Sequence, residues 1–381
     1  MKKLLSIAIP TKNRQEYIIP LLNYFQTMDL SDMEIVIQDN SDDRKILNEY
    51  INVSSNEAIK YKYKEGDLSQ MENSELAIGN CSGKYVCFLG DDDYISSYLV
   101  NFVYWMDNYG YDCCIFKPAF YIWPGLVDNN DKAELSISRF TGKVESVNVK
   151  KEYEKAISQG FLFMNKLPQV YQGVVLRERL EEIKNICGVY FPGPSPDMAV
   201  ATSLSHVIKR MIYCDIPYIT SGQSKKSASG LGILHKHKGE LSKIRMLPSD
   251  IEKRWLPQIP QIWTGPTIYA QSSNEALKAF KDWKSLEKYN WNYFYAYFTI
   301  SNPEYKEYLK SAMGNCEKYN SIIYRLYIVR AFMNKLFRFL KFRIQKKNGV
   351  IINNQVSDSF QAGKMTDGII MKSYVNSKFG F

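Results

Sequence analysis

The first hundred residues alternate between short apolar runs and segments whose apolar residues recur at helical spacing. The runs predict four strands, at residues 4–9, 34–38, 59–63 and 84–89. The helical spacing predicts helices between them, at residues 15–28 and 71–81. Strands that alternate with helices in this way are typical of a mostly parallel sheet with helices on both faces. We therefore predict an α/β fold for this part of the chain.

The remainder of the chain has a different organisation. Strand-like and helical segments are mixed as far as about residue 245, with frequent Pro and Gly. Within this part, residues 221–239 are rich in Gly, Ser, Lys and His, which predicts a loop. Residues 250–347 are mostly helical in pattern and dense in aromatic side chains. Residues 348–381 show no clear periodicity, so no structure is predicted for this tail.

Polar clusters follow three of the four predicted strands. Residues 10–14 (PTKNR) follow the first strand, residues 39–40 (DN) the second and residues 91–93 (DDD) the fourth. Ligands of open α/β sheets bind beyond the carboxyl ends of the strands, so we expect the clusters to share one pocket. Adjacent carboxylates repel one another unless a cation neutralises them, and Mg²⁺ takes oxygen ligands together with substrate phosphates. The aspartates thus predict a metal–diphosphate site, with a solvated acidic turn as the alternative.

These motifs resemble those of the family 2 glycosyltransferases. Residues 6–14 (SIAIPTKNR) look like the opening strand of that family, residues 35–41 (IVIQDNS) like its second strand, and residues 83–93 (GKYVCFLGDDD) like its Asp-x-Asp strand. The resemblance implies a GT-A fold, with a Rossmann-like, mostly parallel sheet, and a nucleotide-sugar donor of the UDP-linked type. It also implies that four residues contact the nucleotide: Pro10, Thr11 and Arg14 at the nucleoside, and Asp39 at the base or ribose.

The resemblance places the aspartate run beside the donor diphosphate and a metal ion, Mn²⁺ or Mg²⁺. Many relatives carry an acidic residue where this chain has Gly90, which leaves open which two aspartates bind the metal. We expect Asp93 to be the direct ligand, with Asp91 beside the metal and reaching the sugar or ribose. Asp92 is expected to contact the nucleotide sugar.

A candidate catalytic base follows a turn rich in Pro and Gly. Residues 191–198 (FPGPSPDM) match the region in which inverting relatives carry a carboxylate that deprotonates the acceptor hydroxyl. In such a reaction, general base catalysis is combined with stabilisation of the leaving group by the metal. Asp197 is the residue expected to act as this base, and the alternative is an N-cap or first-turn acid of the following helix.

The predicted loop after Asp197 carries several basic side chains. It is expected either to close over the diphosphate and exclude water or to remain a solvated surface loop. His235 and His237 are candidates for a further metal ligand. The basic residues of this loop are Lys225, Lys226, His235, Lys236, His237 and Lys238.

The positive charge of the chain is concentrated near residue 340. The chain has 49 Lys and Arg against 40 Asp and Glu, a formal net charge of +9. Residues 318–357 contain nine of the basic residues and no acidic one, so the rest of the chain is balanced. On a helical wheel of 325–344, apolar residues occupy one half, with Arg325 and Arg343 at its margin. The other half carries Arg330, Asn334, Lys335, Arg338 and Lys341. This pattern is typical of a helix lying in the plane of an anionic membrane. Packing on its own domain or on a second subunit is the alternative.

These observations divide the chain into four parts. Residues 1–245 are the predicted GT-A nucleotide-sugar-binding catalytic domain, 246–318 a helical accessory region, 319–347 an amphipathic basic helix and 348–381 a tail. The predicted function is metal-dependent, inverting transfer of a sugar to a glycan hydroxyl, on a lipid-linked oligosaccharide of a bacterial surface-polysaccharide pathway. A non-catalytic, membrane-associated scaffold for glycan assembly is one alternative. A nucleotidyltransferase is another, but its Gly-rich loop is missing from residues 10–14.

Cysteine usage and hydropathy bear on where the protein works. The seven cysteines form no C-x-x-C pair, which disfavours a zinc site or a disulfide framework. No segment approaches the ~18 apolar residues that span a bilayer. We expect a cytoplasmic protein that is peripheral on the inner face of the cell membrane and binds anionic lipid through residues 319–347. A homo-oligomer is possible, and nucleic acid is not an expected partner.

Overall fold

A computed structural model describes residues 3–54, 56–126, 133–234, 238–347, 349–353 and 356–374. The strands are β1 (Leu5–Thr11), β2 (Met33–Asp39), β3 (Ile59–Tyr63), β4 (Tyr85–Phe88), β5 (Tyr94–Ile95), β6 (Cys113–Phe116), β7 (Ala119–Ile122), β8 (Glu134–Ser138), β9 (Val144–Val147), β10 (Gly173–Leu176), β11 (Met211–Cys214), β12 (Ile219–Gln223) and β13 (Gly349–Asn353).

The helices are α1 (Gln15–Phe25), α2 (Lys45–Ser54), α3 (Gln70–Gly79), α4 (Leu99–Asn108), α5 (Val149–Ser158), α6 (Arg177–Cys187), α7 (Pro196–Val207), α8 (Ala228–Ile233), α9 (Ile251–Arg254), α10 (Gly265–Ala279), α11 (Trp283–Lys288), α12 (Trp291–Ser301), α13 (Lys306–Gly314), α14 (Ser321–Lys347) and α15 (Ser359–Tyr374). Short 3-10 helices occur at Leu241–Lys243 and Pro303–Tyr305.

The main sheet has the strand order β3-β2-β1-β4-β10-β6-β11-β9. Strands β3, β2, β1 and β4 pair in parallel, and β6 and β11 run in the same direction as they do. Only β10 and the edge strand β9 run the other way among the described strands of this sheet. The predicted α/β class, with a mostly parallel sheet and a helical C-terminal region, is confirmed.

Strand β1 lies at the centre of the parallel part because its side chains are apolar on both faces. Ile7 and Ile9 point into one hydrophobic core, and Ala8, between them, points into the core on the opposite face. Successive side chains of a strand alternate between faces, so a continuous apolar run suits a strand covered on both sides. The carboxyl ends of β1, β2 and β4 therefore meet at one edge, as predicted.

A second, smaller sheet of order β13-β8-β7-β12-β5 involves the C-terminal tail, for which the sequence offered no prediction. Strand β13 pairs with β8, and α15 packs against α1. The carboxylate of Asp367 on α15 accepts hydrogen bonds from the hydroxyls of Tyr24 at 2.5 Å and of Ser96 and Ser97 at 2.6 Å each. The tail is thus fastened to α1 and to the segment that follows β5.

The C-terminal helices form a separate hydrophobic core, which also includes side chains from before residue 245. Apolar side chains of α5 and α7 join those of α10, α12, α13 and α14 in this cluster.

The prediction of a loop over residues 221–239 is wrong in part, because this segment contains the end of β12 and the helix α8. His235, Lys236 and His237 lie outside the described residues. No helix in the described part of the chain is long and apolar enough to cross a bilayer.

Candidate active site

The three aspartates occupy the turn between β4 and β5, at the carboxyl edge of the main sheet. Asp91 accepts hydrogen bonds from the Thr11 hydroxyl and from Nε of Arg14, each at 2.7 Å. Nη2 of Arg14 lies 3.0 Å from Oδ2 of Asp92, and the Ser224 hydroxyl donates to that oxygen at 2.6 Å. The Arg14 side chain is only 13% exposed. Arg14 thus neutralises much of the carboxylate charge that, from the sequence, a metal ion alone was expected to neutralise.

Burial sets the ionisation of this network. Burial raises the pKa of Asp91 to about 6, with Arg14 opposing the rise and Asp92 adding to it. Burial alone would lower the pKa of the Arg14 guanidinium, but the two carboxylates outweigh it and hold that pKa above its usual value. Arg14 therefore stays charged while two buried carboxylates share it.

Asp93 differs from its neighbours because only neutral groups bind it. The backbone N–H of Gly222 donates to Oδ1 at 2.6 Å, while the backbone N–H of Gly90 and Nε2 of Gln172 donate to Oδ2 at 3.0 and 3.1 Å. No ion pair to Asp93 is present among the described residues. Burial and then the charge of Asp92 raise the pKa of Asp93 to about 7. Of the three aspartates, Asp93 is therefore the one that lacks a positive partner.

The turn leaves no room for a side chain at position 222. A Cβ added to Gly222 would lie 1.8 Å from the carbonyl oxygen of Asp92, which also accepts a hydrogen bond from the indole of Trp123 at 3.0 Å. Since real Cβ atoms do not approach a carbonyl oxygen this closely, β12 or the aspartate turn would have to move.

Replacing Gly222 with Ala is expected to lower the free energy of unfolding by about 1–3 kcal/mol, the usual cost of overpacking a tight site. Urea unfolding measures this change. Gly232→Ala is the matched control, because a Cβ there meets nothing within 4 Å. Equal stability of the two variants would contradict the close packing described here.

Two predicted donor residues lie beside this network rather than within it. Asp39 is buried at the end of β2, and its two oxygens accept from the Tyr61 hydroxyl and the Ser41 backbone N–H at 2.8 Å each. Pro10 pairs in register with Gln38 in the neighbouring strand. The structure thus brings Thr11 and Arg14 into direct contact with Asp91 and Asp92, and it places Asp39 and Pro10 on the adjoining strand ends.

The turn that precedes Asp197 is held on both sides. The carboxylate of Glu75 accepts from the backbone N–H groups of Tyr190 at 2.9 Å and Phe191 at 2.6 Å. On the other side, the backbone N–H of Ser195 donates to the Ser272 hydroxyl of α10 at 2.8 Å. Ser195 is the N-cap residue of α7, so the N-cap alternative for Asp197 is wrong, although Asp197 does lie in the first helical turn. The helices beyond residue 245 therefore help to position Asp197.

The Asp197 carboxylate is partly buried and has no hydrogen-bond partner among the described residues. Burial raises its pKa to about 6. Tyr171 connects it electrostatically to the aspartate turn: burial raises the pKa of the Tyr171 hydroxyl well above its usual value, and Asp93, Asp92 and Asp197 raise it further. Asp197 and the aspartate turn thus both lie within electrostatic range of Tyr171, and no described residue occupies the Asp197 oxygens, which could accept a proton.

Sequence reasoning missed several residues of the site. Gln172 has a positive φ of 56°, which directs its backbone away from the regular strand that follows, and nothing in the sequence signals this. Its side chain also lines a cavity of about 240 Å³, together with Lys166, Gln169 and Tyr213. Ser224 could have been suspected only from the small residues around it. Gln172 and Ser224 come close to the aspartates only because β10 and β12, the strands next to them, pair within the two sheets.

Part of the chain resembles known proteins in sequence. Residues 6–166 match "Glycosyl transferase family 2". Over 160 residues the chain is 29% identical to the GalNAc(5)-diNAcBac-PP-undecaprenol beta-1,3-glucosyltransferase of Campylobacter jejuni, covering 38% of this chain and 50% of that protein. The chain therefore spans about half the length of this curated relative.

Solved structures give weaker similarities. S. aureus TarS 1–349 is 16% identical, with coverage of 83% of this chain and 93% of that one and a TM-score of 0.46. The mannosyltransferase PcManGT of Pyrobaculum calidifontis is 12% identical, with coverage of 88% of each chain and a TM-score of 0.40. At these TM-scores the structural similarities decide nothing about this chain. The match of residues 6–166 to glycosyl transferase family 2 includes β1 to β4 and the aspartate turn.

Proposed function

We propose that the protein is an inverting, metal-dependent glycosyltransferase that moves a sugar from a UDP-linked donor to a hydroxyl of a lipid-linked glycan. The observation that carries this proposal is the Asp197 carboxylate, which has no hydrogen-bond partner among the described residues and raises the pKa of Tyr171, as Asp92 and Asp93 of the aspartate turn also do. The named activity of the Campylobacter relative, on a glycan linked through PP to undecaprenol, supports a lipid-linked acceptor.

In the proposed reaction, the acceptor hydroxyl attacks the anomeric carbon from the face opposite the donor diphosphate. A bond forms between the acceptor oxygen and that carbon as the bond to the diphosphate oxygen breaks, and its electron pair leaves on UDP. The hydroxyl proton passes to a carboxylate oxygen of Asp197, which therefore acts as general base. Attack from the opposite face inverts the anomeric configuration.

The chain's own residues hold the donor end of the site. Arg14 supplies a fixed guanidinium beside Asp91 and Asp92, and Thr11 and Ser224 fix the orientation of those carboxylates. Pro10, Thr11, Arg14 and Asp39 are proposed to contact the nucleotide, with Asp92 at the nucleotide sugar. A charged network held by short hydrogen bonds keeps its geometry as the charge of the substrate changes.

The aspartate turn also offers ligands for Mn²⁺ or Mg²⁺. Oxygen donors suit these ions, and Asp93 is a buried carboxylate with only neutral partners, so a cation there would supply its missing counter-charge. Asp93 and Asp91 are the residues proposed to hold the ion. When bound, the metal would stabilise negative charge on the departing diphosphate.

The alternative functions make different predictions. A scaffold for glycan assembly would bind a nucleotide sugar without turning it over, and its Asp197 would need no raised pKa. A nucleotidyltransferase would release diphosphate instead of UDP.

We propose that the enzyme works at the cytoplasmic face of the cell membrane, where a lipid-linked acceptor and a UDP-linked donor would meet.

A donor screen by thermal shift tests the proposal directly. A UDP-linked sugar with Mn²⁺ is expected to raise Tm by a few degrees, because a ligand present at 100 times its Kd adds about 2.7 kcal/mol to stability. Chelation with EDTA and the variant Asp93→Asn should each remove most of the shift. An Asp93→Asn protein with an unchanged Mn²⁺-dependent shift would contradict the metal role, and turnover to free UDP would exclude the scaffold.

A further inference from the structure

The long helix α14 exposes an apolar surface that nothing in the described structure covers. Of the 23 large apolar side chains that are exposed in the described part of the chain, eleven lie on this one helix. Their exposed fractions run from 42% to 71%. Exposed apolar surface concentrated in this way marks an interaction site rather than ordinary surface variation. The eleven are Ile322, Ile323, Leu326, Val329, Phe332, Met333, Leu336, Phe337, Phe339, Leu340 and Ile344.

The opposite face of α14 is fixed to the protein body, and much of it is polar. The Tyr324 hydroxyl lies 2.8 Å from that of Thr299 on α12, and Ala331 is fully buried. Further along, Asn334 donates to the Tyr293 hydroxyl at 2.7 Å, and Arg338 donates to Asn165 at 3.0 Å. Asn334, Lys335 and Arg338 belong to the basic half of the helical wheel. That half therefore contacts the protein body, although the Lys335 and Arg338 side chains stay exposed.

The outward direction is consequently the apolar one. At 100° per residue, the stripe opposite Ala331 consists of aliphatic side chains and one methionine. Arg325 and Arg343 flank it on one side, and Arg330 and Lys341 flank it on the other. These four side chains are exposed. The stripe residues are Ile322, Leu326, Val329, Met333, Leu336, Leu340 and Ile344.

The charges on the two flanks of the stripe indicate what kind of partner covers it. Residues 318–357 contain no Asp or Glu, so a second copy docked through this face would set cations against cations with no acidic partner on the segment. An anionic membrane offers both an apolar layer for the stripe and phosphates for the flanking cations, whose long stems can reach back to the headgroups.

We propose that α14 lies in the plane of an anionic membrane, with the stripe around Val329, Met333 and Leu340 inserted below the headgroups and its four flanking cations at the phosphates. The remainder of the protein then stands above the bilayer on the face formed by Tyr293, Asn334 and Arg338. This proposal rests on the shape and charge of α14 and is independent of the reaction proposed above.

Vesicle co-sedimentation of the full chain tests the charge requirement. Vesicles of phosphatidylcholine with 30% phosphatidylglycerol should bind the protein, and pure phosphatidylcholine vesicles should bind it far more weakly. The double variant Arg330→Gln/Lys341→Gln is expected to weaken binding about 30-fold, since each cation near an anionic surface contributes about a fivefold factor. Lys253→Gln/Lys284→Gln, which removes two exposed lysines elsewhere, is the matched control and should bind as the unaltered protein does.

The apolar stripe is tested separately. Met333→Glu/Leu340→Glu should lower vesicle binding at least about tenfold without loss of folding, because both side chains are already exposed. Val53→Glu/Ile186→Glu replaces exposed apolar residues outside α14 and should have no effect. Unchanged vesicle binding by the stripe variant would overturn the proposal. So would a lipid-free dimer, seen by light scattering, that Met333→Glu/Leu340→Glu dissociates.

Discussion

Asp197→Asn is expected to lower the rate of glycosyl transfer about 10²–10⁴-fold, the range over which a positioned general base acts. The amide has nearly the shape of the carboxylate but cannot take the acceptor proton. Donor binding should be unchanged, because no hydrogen bond joins Asp197 to the described residues of the aspartate turn. Steady-state transfer and donor titration by calorimetry measure the two quantities separately.

The same substitution should make the folded protein more stable. Burial raises the pKa of Asp197 to about 6 from a usual value of 3.8. Above pH 6 the folded state therefore holds a carboxylate that burial disfavours, and the free energy of unfolding falls as pH rises from about 4 to 6. Because the side chain is only partly buried by accessible area, we expect Asp197→Asn to gain about 1–3 kcal/mol at pH 7. A less stable variant would show that its lost activity reflects misfolding.

The pH profile of the unaltered enzyme provides an independent check. A general base must be ionised, so kcat/KM should decline as pH falls below about 6, the pKa that burial gives Asp197. Asp91 and Asp93 also have raised pKa values, of about 6 and about 7, so the residual activity of Asp197→Asn should show a weaker decline rather than none. A profile that is flat to pH 5 in the unaltered enzyme would assign the base elsewhere.

Arg14→Gln is expected to damage both the fold and donor binding. The guanidinium is the ion-pair partner of Asp91 and Asp92, and all three side chains are largely buried. Removing one member of a buried ion pair leaves an uncompensated charge and typically costs about 3–5 kcal/mol. The free energy of unfolding should fall by about this amount in urea titrations at pH 7.5. Binding of a UDP-linked sugar should be lost at the same time.

Two controls separate charge from geometry at this position. Arg14→Lys keeps the charge but cannot reach Asp91, Asp92 and Ser224 with one planar fork, so we expect an intermediate loss. Lys12→Gln removes a neighbouring cation whose partner, Asp67, is 88% exposed, and it should leave stability unchanged. If Arg14→Gln were as stable as Lys12→Gln, the ion-pair network would have no structural role.

The strands and the aspartate turn were predictable because their signals are local. An apolar run such as residues 4–9 specifies a buried strand within a few residues, and acidic residues directly after a strand indicate its functional end. Gln172, Gly222 and Ser224 gave no such signal. They reach the aspartates from 79, 129 and 132 residues away, through the pairing of β10 and β12 with strands that no short window contains.

The orientation of α14 was unpredictable for a related reason. A helical wheel separates the apolar half from the basic half, but it cannot say which half meets the protein. The outcome was decided by polar partners on other elements, including the Tyr293 hydroxyl on α12 and the Asn165 side chain. The tail was unassigned because Asp367 finds its three hydroxyl partners on distant segments.

The link between Tyr24 and Asp367 has a consequence for how the protein is made. The two residues are 343 positions apart. At a synthesis rate of ~5–20 residues per second, Asp367 follows Tyr24 from the ribosome by roughly 17–70 s. Through that interval the face of α1 that α15 covers is bare, and the buried Ser96 hydroxyl has no acceptor on Asp367. Packing of this face of α1 thus awaits the synthesis of α15.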